Sequence, residues 1–171
     1  MIQLQKVTMS YGQNTVVNNI SFTIPKGKIT SLIGSNGAGK STLLGIISRL
    51  IDPENGHIII NEKHIKDYKT RILAKKLSIL KQANHINLKL SVEELVGFGR
   101  FPYCQGRLTA TDKEKISEAL NFLELDELKH HYLDELSGGQ QQRAFLAMVV
   151  AQDTDYILLD EPLNNLDMKH S

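Results

Sequence analysis

Apolar and polar residues alternate along Met1-Ile2-Gln3-Leu4-Gln5-Lys6, and the alternation predicts a strand over about 2–9. Two more strand-like segments cover about 19–24 and 28–33, with Pro25-Lys26-Gly27 punctuating them as a tight turn would. A glycine-rich stretch follows, then an apolar, helix-like run from Ser41 to Leu50, broken by Asp52-Pro53-Glu54-Asn55-Gly56. His57-Ile58-Ile59-Ile60 reads as a strand, Asn61-Glu62 as a turn, and residues 77–81 as another strand. From about 83 to 135 the pattern becomes helical. Ser91 with Glu94, and Thr111 with Glu114, have the spacing of a capping box. Ile116, Ala119, Leu120 and Leu123 then recur on one helix face. A further helix starts at Ser137, and the uninterrupted run Tyr156-Ile157-Leu158-Leu159 suits a strand covered on both faces of a parallel sheet. These elements describe one α/β domain over 1–171: a core of about 1–82 and 136–171, split by a helical subdomain at about 83–135.

Composition narrows the picture. The 171 residues are 41% hydrophobic, enough for a buried core. Twenty basic and 19 acidic side chains leave a formal net charge of +1, scattered without a run of one sign. That balance argues against a nucleic-acid binder that depends on a basic field, and no nucleic-acid partner is expected. The single cysteine, Cys104, cannot form an internal disulfide, so a reducing compartment is expected. The densest late apolar run, Phe145 to Ala151, is far short of the roughly 20 residues of a membrane-spanning helix. The amino terminus lacks the layout of a signal peptide. A soluble chain with a peripheral membrane role at most is the expectation. None of the six histidines shows metal-ligand spacing.

The chemistry begins at Gly34-Ser35-Asn36-Gly37-Ala38-Gly39-Lys40-Ser41, which fits G-x-x-x-x-G-K-[ST] between a predicted strand and a predicted helix. Successive amide N–H groups there can curl around phosphate oxygens, an approach that β-carbons would block. The following helix turns its positive end to the same anion. Lys40 supplies a compact charge for the β- and γ-phosphates, Ser41 a hydroxyl for Mg²⁺, and Thr42 extends the turn. A dinucleotide fingerprint fails, because Thr42 and Pro102 fill the last glycine positions of the two candidate matches. Far downstream, Leu159 runs into Asp160-Glu161, two carboxylates at the carboxyl edge of a parallel strand, where open α/β sheets bind ligands. Asp160 suits the Mg²⁺ shell; Glu161, on the opposite side of the strand, suits a base for an attacking water. A second anion-seeking helix start lies at Leu136-Ser137-Gly138-Gly139-Gln140, with Ser137 as N-cap and Gln140 as its partner. One chain with two such starts implies two half-sites, completed by a head-to-tail pair.

With these motifs the chain resembles the nucleotide-binding subunit of ABC transporters over essentially its whole length, and Leu136–Gln140 matches that family's signature. The resemblance implies a P-loop NTPase (RecA-like) core with N-terminal antiparallel strands and an inserted helical subdomain, using ATP and Mg²⁺. It implies that Tyr11 stacks on adenine and that Gln82 links Mg²⁺ to the helical lobe. It implies that Asn164-Asn165-Leu166-Asp167 is the D-loop of a homodimer interface. The site expected is then Tyr11, Gly34, Ser35, Asn36, Gly37, Ala38, Gly39, Lys40, Ser41, Thr42, Ser137, Gly138, Gly139 and Gln140 around ATP. Ser41, Gln82 and Asp160 are expected at the metal, and Lys40, Gln82 and Glu161 in catalysis.

The segments Phe98–Tyr103 and Glu161–Ser171 are similar to importers of iron–siderophore complexes, with vitamin B12 and haem importers close by. Such ATPases sit on the cytoplasmic face of the membrane beneath two permease subunits, fed indirectly by an extracellular binding protein. Phe98, Phe101 and Tyr103 either line the docking groove or pack the lobe's core. The resemblance also leaves open an exporter subunit and a soluble ABC ATPase acting on ribosomes or DNA. The family's further C-terminal strands and its switch histidine are missing from this sequence, so the chain is expected to be truncated and its hydrolysis impaired.

Overall fold

The alternation at the amino terminus produces β1 (Ile2–Tyr11), which pairs antiparallel with β2 (Asn14–Ile24). The computed structural model describes residues 1–82, 88–104 and 106–162. It divides into two units, Met1–Leu73 and Ala74–Ser171.

In the first unit the hairpin turns at Gly12-Gln13, where Gly12 takes φ +62°. On its other side β1 pairs antiparallel with β3 (Asn55–Ile60), which returns through Asn61-Glu62 into the short β4 (Lys63–His64). Both turn residues are left-handed, with φ 47° and 67°, as a two-residue hairpin requires. The sheet order is β2-β1-β3-β4. Ile2, Leu4 and Val7 of β1, Val17 of β2, and Ile58 and Ile60 of β3 are buried, as are Ile46 and Ile47 of α1 (Lys40–Ile47). Arg49 ties the end of α1 to the segment after β4: its guanidinium donates to the carbonyls of Ile65 and Tyr68 and to the Thr70 hydroxyl, at 3.3, 2.6 and 2.9 Å. Thr70 opens α2 (Thr70–Ala74).

The strand expected over 28–33 is absent. These residues join neither sheet among the described residues, and Ile29 and Ile33 are 98% and 96% exposed. The β-branched residues Ile29, Thr30 and Ile33 suit a strand, but a strand exists only against a neighbour that takes its hydrogen bonds and covers its apolar face.

In the second unit β5 (Leu77–Leu80) pairs parallel with β6 (Tyr156–Leu159), Leu77 opposite Tyr156 and Leu80 opposite Leu159. Tyr156 and Leu158 are buried, whereas Ile157 and Leu159 are exposed. The expectation of a strand covered on both faces is therefore corrected to one face. Between the strands run α3 (Val92–Phe98), α4 (Phe101–Cys104), α5 (Ala110–Phe122) and α6 (Gly138–Ala151). Their shared core includes Val92, Leu95, Ile116, Ala119, Leu120, Ala144 and Phe145, so the predicted face of α5 is the buried one. Ser91 and Glu94 form the expected capping box at α3.

The start of α5 is also corrected. Its cap is Thr109 with Asp112, not Thr111 with Glu114. Both pairs have the spacing; the earlier one wins because Asp112 has a second task. It forms a buried ion pair with Arg100 at 3.0 Å, and Arg100 also donates to the Ala151 carbonyl at 2.8 Å. The backbone and hydroxyl of Thr109, with Arg100 behind them, hold the Asp112 carboxyl below its usual range. Next to Arg100, Gly99 lies against α6 so closely that an added β-carbon would stand 2.2 Å from the Met148 carbonyl oxygen. The approach of the two elements at that point requires glycine.

Candidate phosphate-binding and catalytic site

The loop after residue 33 winds into α1 through glycines with positive φ, Gly37 at 79° and Gly39 at 85°. Gly39 is the N-cap of α1 and is required twice over. Its φ is one that residues with a β-carbon rarely adopt, and such an atom would lie 2.6 Å from the Val16 carbonyl oxygen of β2. Residues 34–38 and Ser41 are exposed, Thr42 is half-buried, and an added β-carbon at Gly37 would meet open space. The loop therefore faces solvent, closed on itself by one backbone bond from the Ala38 N–H to the Ser35 carbonyl at 3.2 Å. Lys40 bends back over it, its Nζ donating to the carbonyls of Gly34 and Ser35 at 2.9 Å each. The first turn of α1 holds no acidic residue. The dipole's positive end is thus left for an external anion. Tyr11, in the same unit, is exposed at the end of β1, its ring open to a stacking partner.

In the second unit the parallel pair β5–β6 delivers three expected residues to one edge. The ladder continues past the strands, the Asp160 N–H donating to the Leu80 carbonyl at 2.9 Å. Asp160 is buried at the strand end. Beyond it Glu161 turns away in a left-handed conformation, φ 48°. Gln82, two residues past Leu80, lies alongside and donates from Nε2 to Glu161 Oε2 at 2.6 Å.

The second helix start has the expected form. Ser137 accepts from the Gln140 N–H at 3.3 Å, and the Gln140 side chain accepts from the Ser137 N–H at 2.9 Å. An added β-carbon at Gly138 would meet nothing within 4 Å, and the first turn of α6 again lacks an acid. The contrast is internal to the chain. Glu93 and Glu94 occupy the first turn of α3, and Asp112 that of α5. Only α1 and α6, of these four helices, leave the terminus uncompensated. The segment expected to be the D-loop, Asn164–Asp167, lies outside the described residues.

The sequence of this chain matches the family model for the ABC transporter over residues 17–164. The chain belongs to the ABC transporter family. As such a cassette it binds ATP and is a transport-coupled ATPase. It is 59% identical over all 171 residues to the petrobactin import ATP-binding protein YclP of Bacillus subtilis, and 51% identical to its counterpart FatE of Bacillus anthracis. In both cases it spans 68% of the relative's length. The ferric enterobactin transport ATP-binding protein FepC of Escherichia coli is 40% identical over 168 residues, 97% of this chain and 62% of its own. Among solved structures, a dimeric bacterial ABC transporter cassette superposes with a TM-score of 0.85 at 33% identity, covering 98% of this chain and 76% of its own. A post-hydrolysis dimer of the same cassette bound to ADP and Pi superposes at 0.84 and 32% identity, covering 99% and 77%. No helix among the described residues is long and apolar enough to cross a membrane.

The structure of this ABC cassette also brings forward a residue that its sequence does not single out. Gln142, buried on α6, donates to the Pro162 carbonyl at 3.0 Å and so fixes the chain just after Glu161. A glutamine among three in a row carries no periodic signal that would mark it. Phe98 and Phe101, left open between core and surface, are 49% and 58% exposed. Tyr103 instead lies down, its ring 3.9 Å from the Arg100 guanidinium and its hydroxyl donating to the Asp153 carbonyl at 3.2 Å. Partial burial raises its phenol above the ordinary value.

Proposed function

We propose that this chain is the motor subunit of an importer of ferric siderophores, with petrobactin-type cargo the leading candidate, acting at the cytoplasmic face of the membrane. The observation that carries the reading is the 59% identity, over all 171 residues, to a petrobactin import ATP-binding protein. The subunit works as a head-to-tail homodimer beneath two permease subunits, and a binding protein outside the membrane delivers cargo to them. Phe98 and Phe101 offer the permease an apolar contact.

The ATP polyphosphate lies in the loop from Gly34 to Thr42, where it draws Lys40 out of its contacts with Gly34 and Ser35. Tyr11 stacks on the adenine. The γ-phosphate also faces the helix start at Ser137 to Gln140 in the second copy, where the N–H groups of Gly138 and Gly139 lie between the two capped ones, so it bridges the dimer. The donor set Ser41 hydroxyl, Asp160 carboxylate and Gln82 carbonyl is all oxygen, which suits Mg²⁺ and not a softer ion. When bound, Mg²⁺ neutralises charge on the β- and γ-phosphates. Glu161 receives the proton of the attacking water as the water oxygen bonds to the γ-phosphorus. The bond from that phosphorus to the bridging oxygen breaks, and its electron pair leaves on ADP. Loss of the γ-phosphate then removes the bridge and opens the pair.

Uptake of radiolabelled ferric petrobactin by cells lacking their own ATPase for it tests the assignment. The full-length protein restores uptake and its Lys40→Ala variant does not. Restored uptake of haem or vitamin B12 with none of the siderophore would refute the cargo.

A further inference from the structure

We infer that Gln82 is a positioning residue that aims the Glu161 carboxylate, beyond the link to metal that the family resemblance implies for it. The inference rests on reading Glu161 as the base. The geometry starts from the register of the parallel pair. Leu80 lies opposite Leu159, and the ladder runs on through the Asp160 N–H to the Leu80 carbonyl. Gln82 and Glu161 therefore leave adjacent strand ends at the same level. Their side chains meet at 2.6 Å, Nε2 to Oε2. The amide nitrogen is the donor in this contact, so the carbonyl oxygen of Gln82 points the other way.

Glu161 is held from two further directions. Its backbone is in the left-handed region, φ 48°, and the next carbonyl, that of Pro162, is tied to the buried Gln142 at 3.0 Å. The side chain leaves a fixed backbone and is gripped at one oxygen. A carboxylate has about four lone-pair sites, so the amide donor of Gln82 can set its plane and still leave it able to take a proton. A primary amide alone among side chains of this length offers a donor at one end and a hard oxygen at the other. Glutamate at 82 keeps the oxygen and loses the donor; methionine keeps the reach and loses both. Gln82 is exposed at the end of β5, so either variant leaves the core intact.

Single-turnover hydrolysis by the full-length protein, at saturating ATP and metal, tests the role. Gln82→Glu and Gln82→Met each slow hydrolysis by about 10- to 100-fold, the range that a misaimed group costs. In a Glu161→Gln background Gln82→Met adds no further slowing, because the two residues act as one unit. Without nucleotide, the side-chain amide resonance of Gln82 shifts on Glu161→Ala. The inference is overturned if Gln82→Glu hydrolyses at the parent rate. It is equally overturned if Gln82→Met slows the Glu161→Gln protein by the same factor as the parent, or if the amide resonance ignores Glu161. A Glu161→Gln protein that hydrolyses at full rate is a different result, and removes the base reading itself.

Discussion

Lys40 is folded into its own loop, donating to two backbone carbonyls at 2.9 Å. Those bonds are to neutral carbonyls, so in the proposed site a polyphosphate with charged oxygens would win the exchange. Lys40→Ala removes a hydrogen bond to a charged group, about 1.5–3 kcal/mol, and ATP affinity measured by calorimetry falls about 10- to 150-fold. Gly39 is a different kind of residue, needed for shape alone. Gly39→Ala has to accept a left-handed backbone and a β-carbon against the Val16 carbonyl. Chemical denaturation should show a loss of about 1–3 kcal/mol, with nucleotide binding impaired because the loop can no longer close.

At the scale of elements, the helical part hangs on one polar knot. Asp112 caps α5 through Thr109 and neutralises Arg100, and Arg100 reaches the end of α6 through the Ala151 carbonyl. Asp112→Asn leaves a buried guanidinium uncompensated and costs about 3–5 kcal/mol at neutral pH, read by denaturant unfolding. The sign with pH comes from the depressed carboxyl of Asp112. Its contribution is complete above the ordinary aspartate value of about 3.9 and is lost as pH falls from there through the lower folded value. The gap between parent and Asp112→Asn therefore narrows in acid.

The same knot explains what the sequence reveals of this region. Capping boxes at Ser91 and Ser137 are local and legible. At α5 two overlapping boxes compete, and only the remote partner Arg100 decides between them. The loop from Gly34 to Ser41, the acids at 160–161 and the glutamine at 82 are legible for a similar reason: each is a short motif tied to one element. The contact between Gln82 and Glu161 is not, since it depends on the register of two strands separated by the whole helical part. Likewise the strand-like composition over 28–33 is visible in the chain, but whether a strand forms there depends on a neighbour that no local pattern specifies. β4, two residues long, leaves no pattern to find.

For the whole molecule, the proposed head-to-tail pair would give the helix starts of α1 and α6 a nucleotide each to bind, and this can be tested. With ATP and magnesium, the full-length Glu161→Gln protein should bind nucleotide normally, accumulate as a dimer by light scattering, and hydrolyse about 10²- to 10⁴-fold more slowly. A protein that stays monomeric at every concentration would rule out the shared-site arrangement.

Ile29 and Ile33 set a condition on handling this molecule. Each withholds about 1.5–3 kcal/mol of burial free energy while it stays wet, a gain open to any apolar surface that packs over it. Until then the pair is an invitation to stick. Serine at both positions should let concentrated solutions of this chain stay clear longer, as turbidity would report. The same exchange should weaken any assembly in which that stretch becomes an interior strand.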